Sequence, residues 1–182
     1  MTTSSPDMTH KRLPARYFAD VNVNQYTYAP LQLKKVIELS TSPEQVFATL
    51  SDYSAMPDWV PGMSYVAVDN TKALLENGVG TVRTCNFEDG QSMVEDIVLF
   101  DAPTMLAYSV RDGNFMGMSE HFALITMQAS KQGCVLSWYQ FFNHPDVAAF
   151  VAQSAALLDT ACDQLKLNYS PVVRANPSTE LA

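Results

Sequence analysis

The chain is 182 residues long, 47% apolar and only 16% charged, a composition that fits one domain with a sizeable core rather than two. Nineteen acidic against eleven basic residues give a net charge of -8, and no basic run exceeds Lys11-Arg12 or Lys34-Lys35. Nucleic acid and anionic membrane surfaces are therefore excluded as the main partner, since both are bound through clustered positive charge. Membrane insertion is not expected either, because the longest weakly charged stretch, Val147 to Ala161, is short and interrupted by Gln153, Ser154 and Asp159.

Residues 1–30 are polar and lack sustained periodicity or an apolar run of the kind a secretory signal carries. They are expected to be a partly disordered extension of a soluble, cytoplasmic protein, with Tyr17, Phe18, Tyr26 and Tyr28 as its candidates for docking on a sheet. The domain is placed at 31–169 and opens with a strand at 33–40. A short helix follows at Ser42-Pro43-Glu44, where Ser42 can cap, Pro43 suits the first helical position and Gln45 has capping-box spacing. Pro57 and Pro61 then allow at most one further turn, around Tyr53 to Met56.

Six more strands are expected at 64–70, 79–87, 91–100, 105–111, 119–129 and 134–142. The turn signals Asn77-Gly78, Asp89-Gly90, Asp112-Gly113-Asn114 and Gln132-Gly133 separate these segments, which are rich in Val, Ile, Thr, Phe and Tyr. If Glu88-Asp89-Gly90 is a three-residue loop, Arg83 lies opposite Glu95, and Val79, Thr81, Arg83, Cys85 and Phe87 share a face with Met93, Glu95, Ile97 and Leu99. The turn at 101–104 sets Phe100 opposite Met105, Ile97 opposite Tyr108 and Leu99 opposite Leu106. The inner face then reads Glu95, Ile97, Leu99, Leu106, Tyr108, Val110. For the last two strands both parities are similarly apolar: His121, Ala123, Ile125 and Met127 compete with Phe122, Leu124 and Thr126, and Trp138 and Phe142 with Tyr139 and Phe141. An outer face this apolar asks for a cover, either the N-terminal segment or a second copy in a homodimer.

The last element is a long helix from Asn143-His144-Pro145-Asp146 to Leu167. Val147, Phe150, Val151, Ser154, Leu158, Ala161 and Leu165 recur at helical spacing and mark the face that packs on the sheet. Residues 170–182 form a tail. Three isolated cysteines, Cys85, Cys134 and Cys162, signal neither a disulfide framework nor a zinc site. No cluster of metal ligands and no cofactor motif is present, and G-x-S-x-G, G-x-x-x-x-G-K-[ST], H-E-x-x-H and G-x-G-x-x-G are all missing.

The segment VIELSTSPEQVFATLSDYSAMPDWVPGMSYVAVD, then GVGTVRTCNFEDGQSMVEDIVLFDAPTMLAYSV, then GCVLSWYQFF before the last helix resembles the SRPBCC (START-like) superfamily, most of all its polyketide cyclase/dehydrase-like branch. The resemblance runs from Leu33 to Leu167 and rests on diffuse features: Trp59, Pro61, Gly78-x-Gly80, Arg83, Glu95, Tyr108 and Trp138. It implies an α+β helix-grip fold: a seven-stranded, curved antiparallel sheet around a long C-terminal helix, with two short helices after the first strand and a hydrophobic cavity between sheet and helix. Lipid and hormone carriers, aromatase/cyclases and partner-binding modules share that architecture, so the fold leaves the function open.

The chemistry is sought where polar groups share the inner face. Arg83, Glu95 and Tyr108 would orient the polar head of an apolar ligand, because an ion pair removed from water is costly to keep. As structure alone, the pair is a cross-strand lock on register. Trp59, Met63, Met93, Ile97, Phe115, Met118, Tyr139, Phe150 and Leu158 are the further candidates for the ligand's surroundings. Glu95, Tyr108 and His121 are the candidate proton donors and acceptors if the protein is a cyclase or dehydratase. His144 is read as a cap or surface group, and His10 lies in the extension. The leading expectation is binding, or carriage, of a hydrophobic small molecule; the alternatives are the enzyme and a module that docks another protein through the loops at 59–63 and 112–118.

Overall fold

A computed structural model describes residues 14–169; the expectations for His10 and for the tail at 170–182 fall outside them. Seven strands form one antiparallel sheet: β3 (Leu31–Leu39), β4 (Met63–Asp69), β5 (Val82–Phe87), β6 (Ser92–Asp101), β7 (Met105–Val110), β8 (Ser119–Ala129) and β9 (Cys134–Asn143). They are ordered β3-β9-β8-β7-β6-β5-β4, so hairpins join every neighbour from β4 to β9 and β3 closes on the last strand. Between β3 and β4 lie α1 (Pro43–Ser51) and a 3-10 turn at Tyr53–Asp58. Ser42 caps α1 by accepting the Gln45 N–H at 3.4 Å, and Pro43 occupies its first turn. The long α2 (Val147–Asn168) starts from Asp146, whose side chain accepts the Ala149 N–H.

The expected hairpin at 88–90 is present. Phe87 donates its N–H to the Gln91 carbonyl at 2.9 Å, and Gly90 takes the left-handed φ of +83° that this loop requires. Arg83 and Cys85 accordingly face Glu95 and Met93. Two details of the expected inner face are corrected. Val79 precedes the regular strand, which starts at Val82, and is half exposed. Leu99 faces outward, because a bulge between Ile97 and Leu99 shifts the register: Ile97 still pairs with Tyr108, but Leu99 pairs with Ala107, Phe100 with Leu106 and Asp101 with Met105. One inserted residue exchanges the faces beyond it, and Phe100 takes the inward place, edge-on against Phe47 of α1 at 4.9 Å.

The structure also resolves the parity of β8 and β9. Ala123, Ile125, Met127, Leu136, Trp138 and Phe142 belong to the inner core with α1 and α2. Phe122, Leu124 and Phe141 form an outer cluster with Ala107 of β7. That cluster is covered by the N-terminal segment, which the sequence presented as a loose extension. A two-stranded ribbon, β1 (Tyr17–Phe18) with β2 (Val21–Asn22), and a 3-10 turn at Val23–Gln25 carry Phe18, Val21, Val23, Tyr26 and Ala29 onto the sheet. Tyr26 stacks on Phe122 at 4.7 Å, and Phe18 meets Phe141 edge-on at 5.0 Å. Arg16 ties the segment together by donating to Asn24 Oδ1 and to the carbonyls of Thr27 and Ala29. The Thr27 hydroxyl donates to the carbonyl of Glu120 at 2.7 Å. Tyr17 and Tyr28, expected to dock as well, point outward and are mostly exposed. The segment meets the outer face's need for a cover, so that face by itself gives no reason for a second copy.

Candidate functional site

The concave face of the sheet, α1 and α2 enclose a cavity of about 160 Å3, several times what one water needs and enough for a small organic molecule. Its floor comes from β5 to β9, because alternate residues of each strand point inward. Its roof is α2, through Phe150, Ser154, Leu157, Leu158 and Ala161. The loop at 59–63 contributes Trp59, Val60, Pro61 and Met63 to its wall, and the loop before β8 contributes Met116 and Met118. The second loop is tied to α2 by His144. That imidazole stacks on Phe150 at 4.3 Å, accepts the Asp146 N–H at Nδ1, and places Nε2 3.2 Å from the Met116 carbonyl.

Most of the expected ligand-contacting residues meet here. Trp59, Met63, Met93, Met118, Phe150 and Leu158 line the cavity, as do Arg83, Glu95, Tyr108 and His121. Three do not. Ile97 points inward but is packed solidly in the core, away from the void. Tyr139 is on the outer face, because β9 turns Trp138 and Gln140 inward; its ring lies against Phe18 and under the Lys34 ammonium. Phe115 sits outside the wall, half exposed, edge-on at 5.5 Å to Phe87, which does line it. Among the lining residues the sequence reading left unassigned are Leu50, Met56, Gln140, Ser154 and Ala161. Ser154 and Ala161 were marked as sheet-facing by helical spacing, but spacing cannot tell a packed position from one beside a void.

Arg83 and Glu95 are both 3% exposed and joined through the guanidinium Nε and Oε2. The same carboxylate oxygen accepts from the Cys85 thiol at 3.4 Å. The guanidinium lies between two aromatic faces, 4.8 Å from the Tyr53 ring and 4.5 Å from the Tyr108 ring, a cation–π arrangement that offsets part of the lost hydration. Burial is the largest single influence and opposes its charge, but Glu95, followed by Cys85, Tyr108 and Tyr53, together outweigh it, so its pKa stays above the usual value. Among the described residues, Nη1 and Nη2 have no hydrogen-bond acceptor.

The neighbouring groups are uncharged near neutral pH. Burial pushes the phenols of Tyr53 and Tyr108 and the thiol of Cys85 well above their usual ranges. Burial also lowers the His121 imidazole to about 4. Its Nδ1 accepts the Val110 N–H at 3.1 Å, which leaves the proton of the neutral ring on Nε2, facing the Gln140 side chain that opposes the downward shift. The indole N–H groups of Trp59 and Trp138, on rings 6.4 Å apart, are sealed within the wall without a well-formed hydrogen bond, that of Trp138 lying near enough to the Tyr108 hydroxyl to oppose the rise in its pKa. No cluster of His, Cys, Asp and Glu suited to a metal occurs among the described residues. The three cysteines are unpaired and buried.

Comparison with solved structures gives the same fold. Protein XoxI of Bacillus cereus superposes with a TM-score of 0.62 at 18% identity, covering 75% of this chain and 94% of that one. Protein CV1439 of Chromobacterium violaceum gives 0.60 at 21% identity, over 78% and 99%. A point mutant of norcoclaurine synthase from Thalictrum flavum, in complex with a transition-state analogue, gives 0.55 at 18%, over 79% and 98%. At such identities the likeness concerns fold alone. Among curated sequences, the uncharacterised proteins Rv2574 of Mycobacterium tuberculosis and Mb2604 of Mycobacterium bovis are 24% identical over 110 residues, 60% of this chain and 64% of theirs. The match therefore spans less than two thirds of those relatives. Residues 30–167 match the family described as polyketide cyclase / dehydrase and lipid transport, and with the helix-grip sheet and its enclosed cavity in place, the chain belongs to that family.

Proposed function

We propose that the protein binds a hydrophobic small molecule in the cavity beneath α2, with Arg83, Glu95 and Tyr108 orienting a polar group on it. The observation that carries this reading is an ion pair buried at the wall of an otherwise largely apolar void, with guanidinium N–H groups left unused. Apolar burial contributes about 25 cal/mol per Å2, so a ligand burying a few hundred Å2 gains several kcal/mol before ordering costs. The cyclase or dehydratase reading draws its support from Glu95, Tyr108 and His121 lining one cavity. It is the weaker of the two: Tyr108 holds its proton at neutral pH, the Nδ1 lone pair of His121 is occupied, and Glu95 is engaged by Arg83. Docking of another protein at the loops at 59–63 and 112–118 has no comparable observation behind it.

Native mass spectrometry of the purified protein tests binding, together with the variant Ala161→Phe, which puts a ring into the void at a cost of roughly 1–3 kcal/mol. The expected outcome is a bound apolar compound on the natural chain and none on the folded variant. Equal ligand loads on both would move the ligand out of the cavity and end the proposal.

A further inference from the structure

The charge arithmetic of the cavity determines which polar group it accepts. At neutral pH its wall holds one cation, Arg83, and one anion, Glu95; Tyr108 and His121 are neutral. The site therefore carries no net charge before a ligand arrives. A ligand carboxylate or phosphate would bring a second anion beside Glu95, in a place where like charges are poorly screened and the hydration of the incoming group is lost. The hydrogen bonds on offer nevertheless come mainly from donors. The indole N–H groups of Trp59 and Trp138 are sealed within the wall and do not face the void. Nη1 and Nη2 of Arg83 lack acceptors among the described residues, and the acceptor left beside them is Oε1 of Glu95, both hydrogen bonds to that carboxylate being made through Oε2. Unpaired buried donors are costly, and an oxygen acceptor relieves that cost.

Donors in excess with no net charge define a narrow chemistry. We infer that Glu95 acts as a specificity residue that selects neutral oxygen acceptors, such as ketones on an apolar skeleton, against carboxylates and other anions of the same shape. The inference rests on the binding function proposed above and deepens it. Without Glu95, Arg83 would be a lone buried cation, and the same cavity would prefer an organic acid as its counter-ion. The carboxylate thus does more than hold the arginine in register: it takes the position that an acidic ligand would otherwise fill.

The test uses two probes of one shape, 4-butylacetophenone and 4-butylbenzoate, titrated into the full chain by calorimetry at neutral pH. Emission from Trp59 and Trp138, the chain's two tryptophans, reports that binding is in the cavity. The natural protein is expected to bind the ketone at least roughly tenfold more tightly than the benzoate, and Glu95→Gln to reverse the order by a similar factor, as removal of a like-charge contact implies. If Glu95→Gln is poorly folded, Glu95→Ala serves in its place, with the benzoate raising its Tm more than the ketone does. A natural protein that binds both probes equally, or a preference unmoved in the Glu95 variants, overturns the inference and leaves cavity binding standing. Binding of neither probe removes the proposed function, and the inference with it.

Discussion

Glu95 keeps Arg83 company at a depth where either charge alone would be expensive, and the two tyrosine rings on either side of the guanidinium supply what water no longer does. The neighbouring histidine shows the opposite solution. His121 has no carboxylate partner in the structure, so burial lowers its pKa to about 4 and the ring stays neutral. An exposed histidine in the unfolded chain titrates near 6.5, so the unfolded state binds more protons between about 6.5 and 4. The contribution of His121 is thus fully present above about pH 6.5 and is lost as the pH falls through its folded value, a change on the order of 3 kcal/mol. His121→Gln, whose amide keeps a hydrogen bond within reach of Val110, is expected to flatten the fall in urea-unfolding stability between pH 7 and 4. An unchanged slope in that variant would mean that other groups set the acid limb.

The hairpins place these residues, and bulges correct the placement. In the β5–β6 hairpin a regular register brings Arg83 opposite Glu95. In the β6–β7 hairpin one inserted residue turns Leu99 outward and brings Phe100 in against Phe47. The connection before β5 is built more tightly than the one after it. At Gly80 the φ is +95°, and an added Cβ would come within 2.6 Å of the Lys72 carbonyl oxygen, whereas at Gly90 nothing lies within 4 Å. Both glycines pay the same conformational penalty on substitution, about 1 kcal/mol, but only Gly80 adds a backbone clash. Gly80→Ala should therefore lower the thermal midpoint clearly more than Gly90→Ala, and similar midpoints would show that the segment at 70–81 yields without cost. That segment also holds Tyr53, whose hydroxyl donates to the Asn77 carbonyl at 2.8 Å and whose ring supports Arg83, so loosening it should reach the site.

For the whole molecule, the sheet is apolar on both faces and needs two covers: α2 with α1 on the concave side, the segment from Arg16 to Ala29 on the convex one. Residues 16–29 thereby contribute to stability without lining the cavity. A chain beginning at Pro30 would uncover Phe122, Leu124 and Phe141, an apolar patch of the kind that drives association. Size-exclusion chromatography is expected to show the shortened chain as a dimer or larger species relative to the full chain under the same conditions. An unchanged elution volume would show that the convex face tolerates water. No helix among the described residues is long and apolar enough to cross a membrane.

Much of this was legible in the amino-acid sequence, because strand alternation, turn glycines and helix caps are local signals. The helix-grip order of elements, the Ser42 cap, the 88–90 hairpin and the pairing of Arg83 with Glu95 all follow from neighbours in the chain. Tertiary structure alone decided what depends on distant segments meeting. Whether Trp138 or Tyr139 faces the cavity, whether Ile97 touches a void or solid core, and whether residues 16–29 are a tail or a cover could not be read from spacing. Both faces of β8 and β9 are equally apolar, so hydrophobicity could not choose between them. The choice came from what packs on each side, α2 on one and the N-terminal segment on the other, and a bulge can reverse any parity argument by one residue.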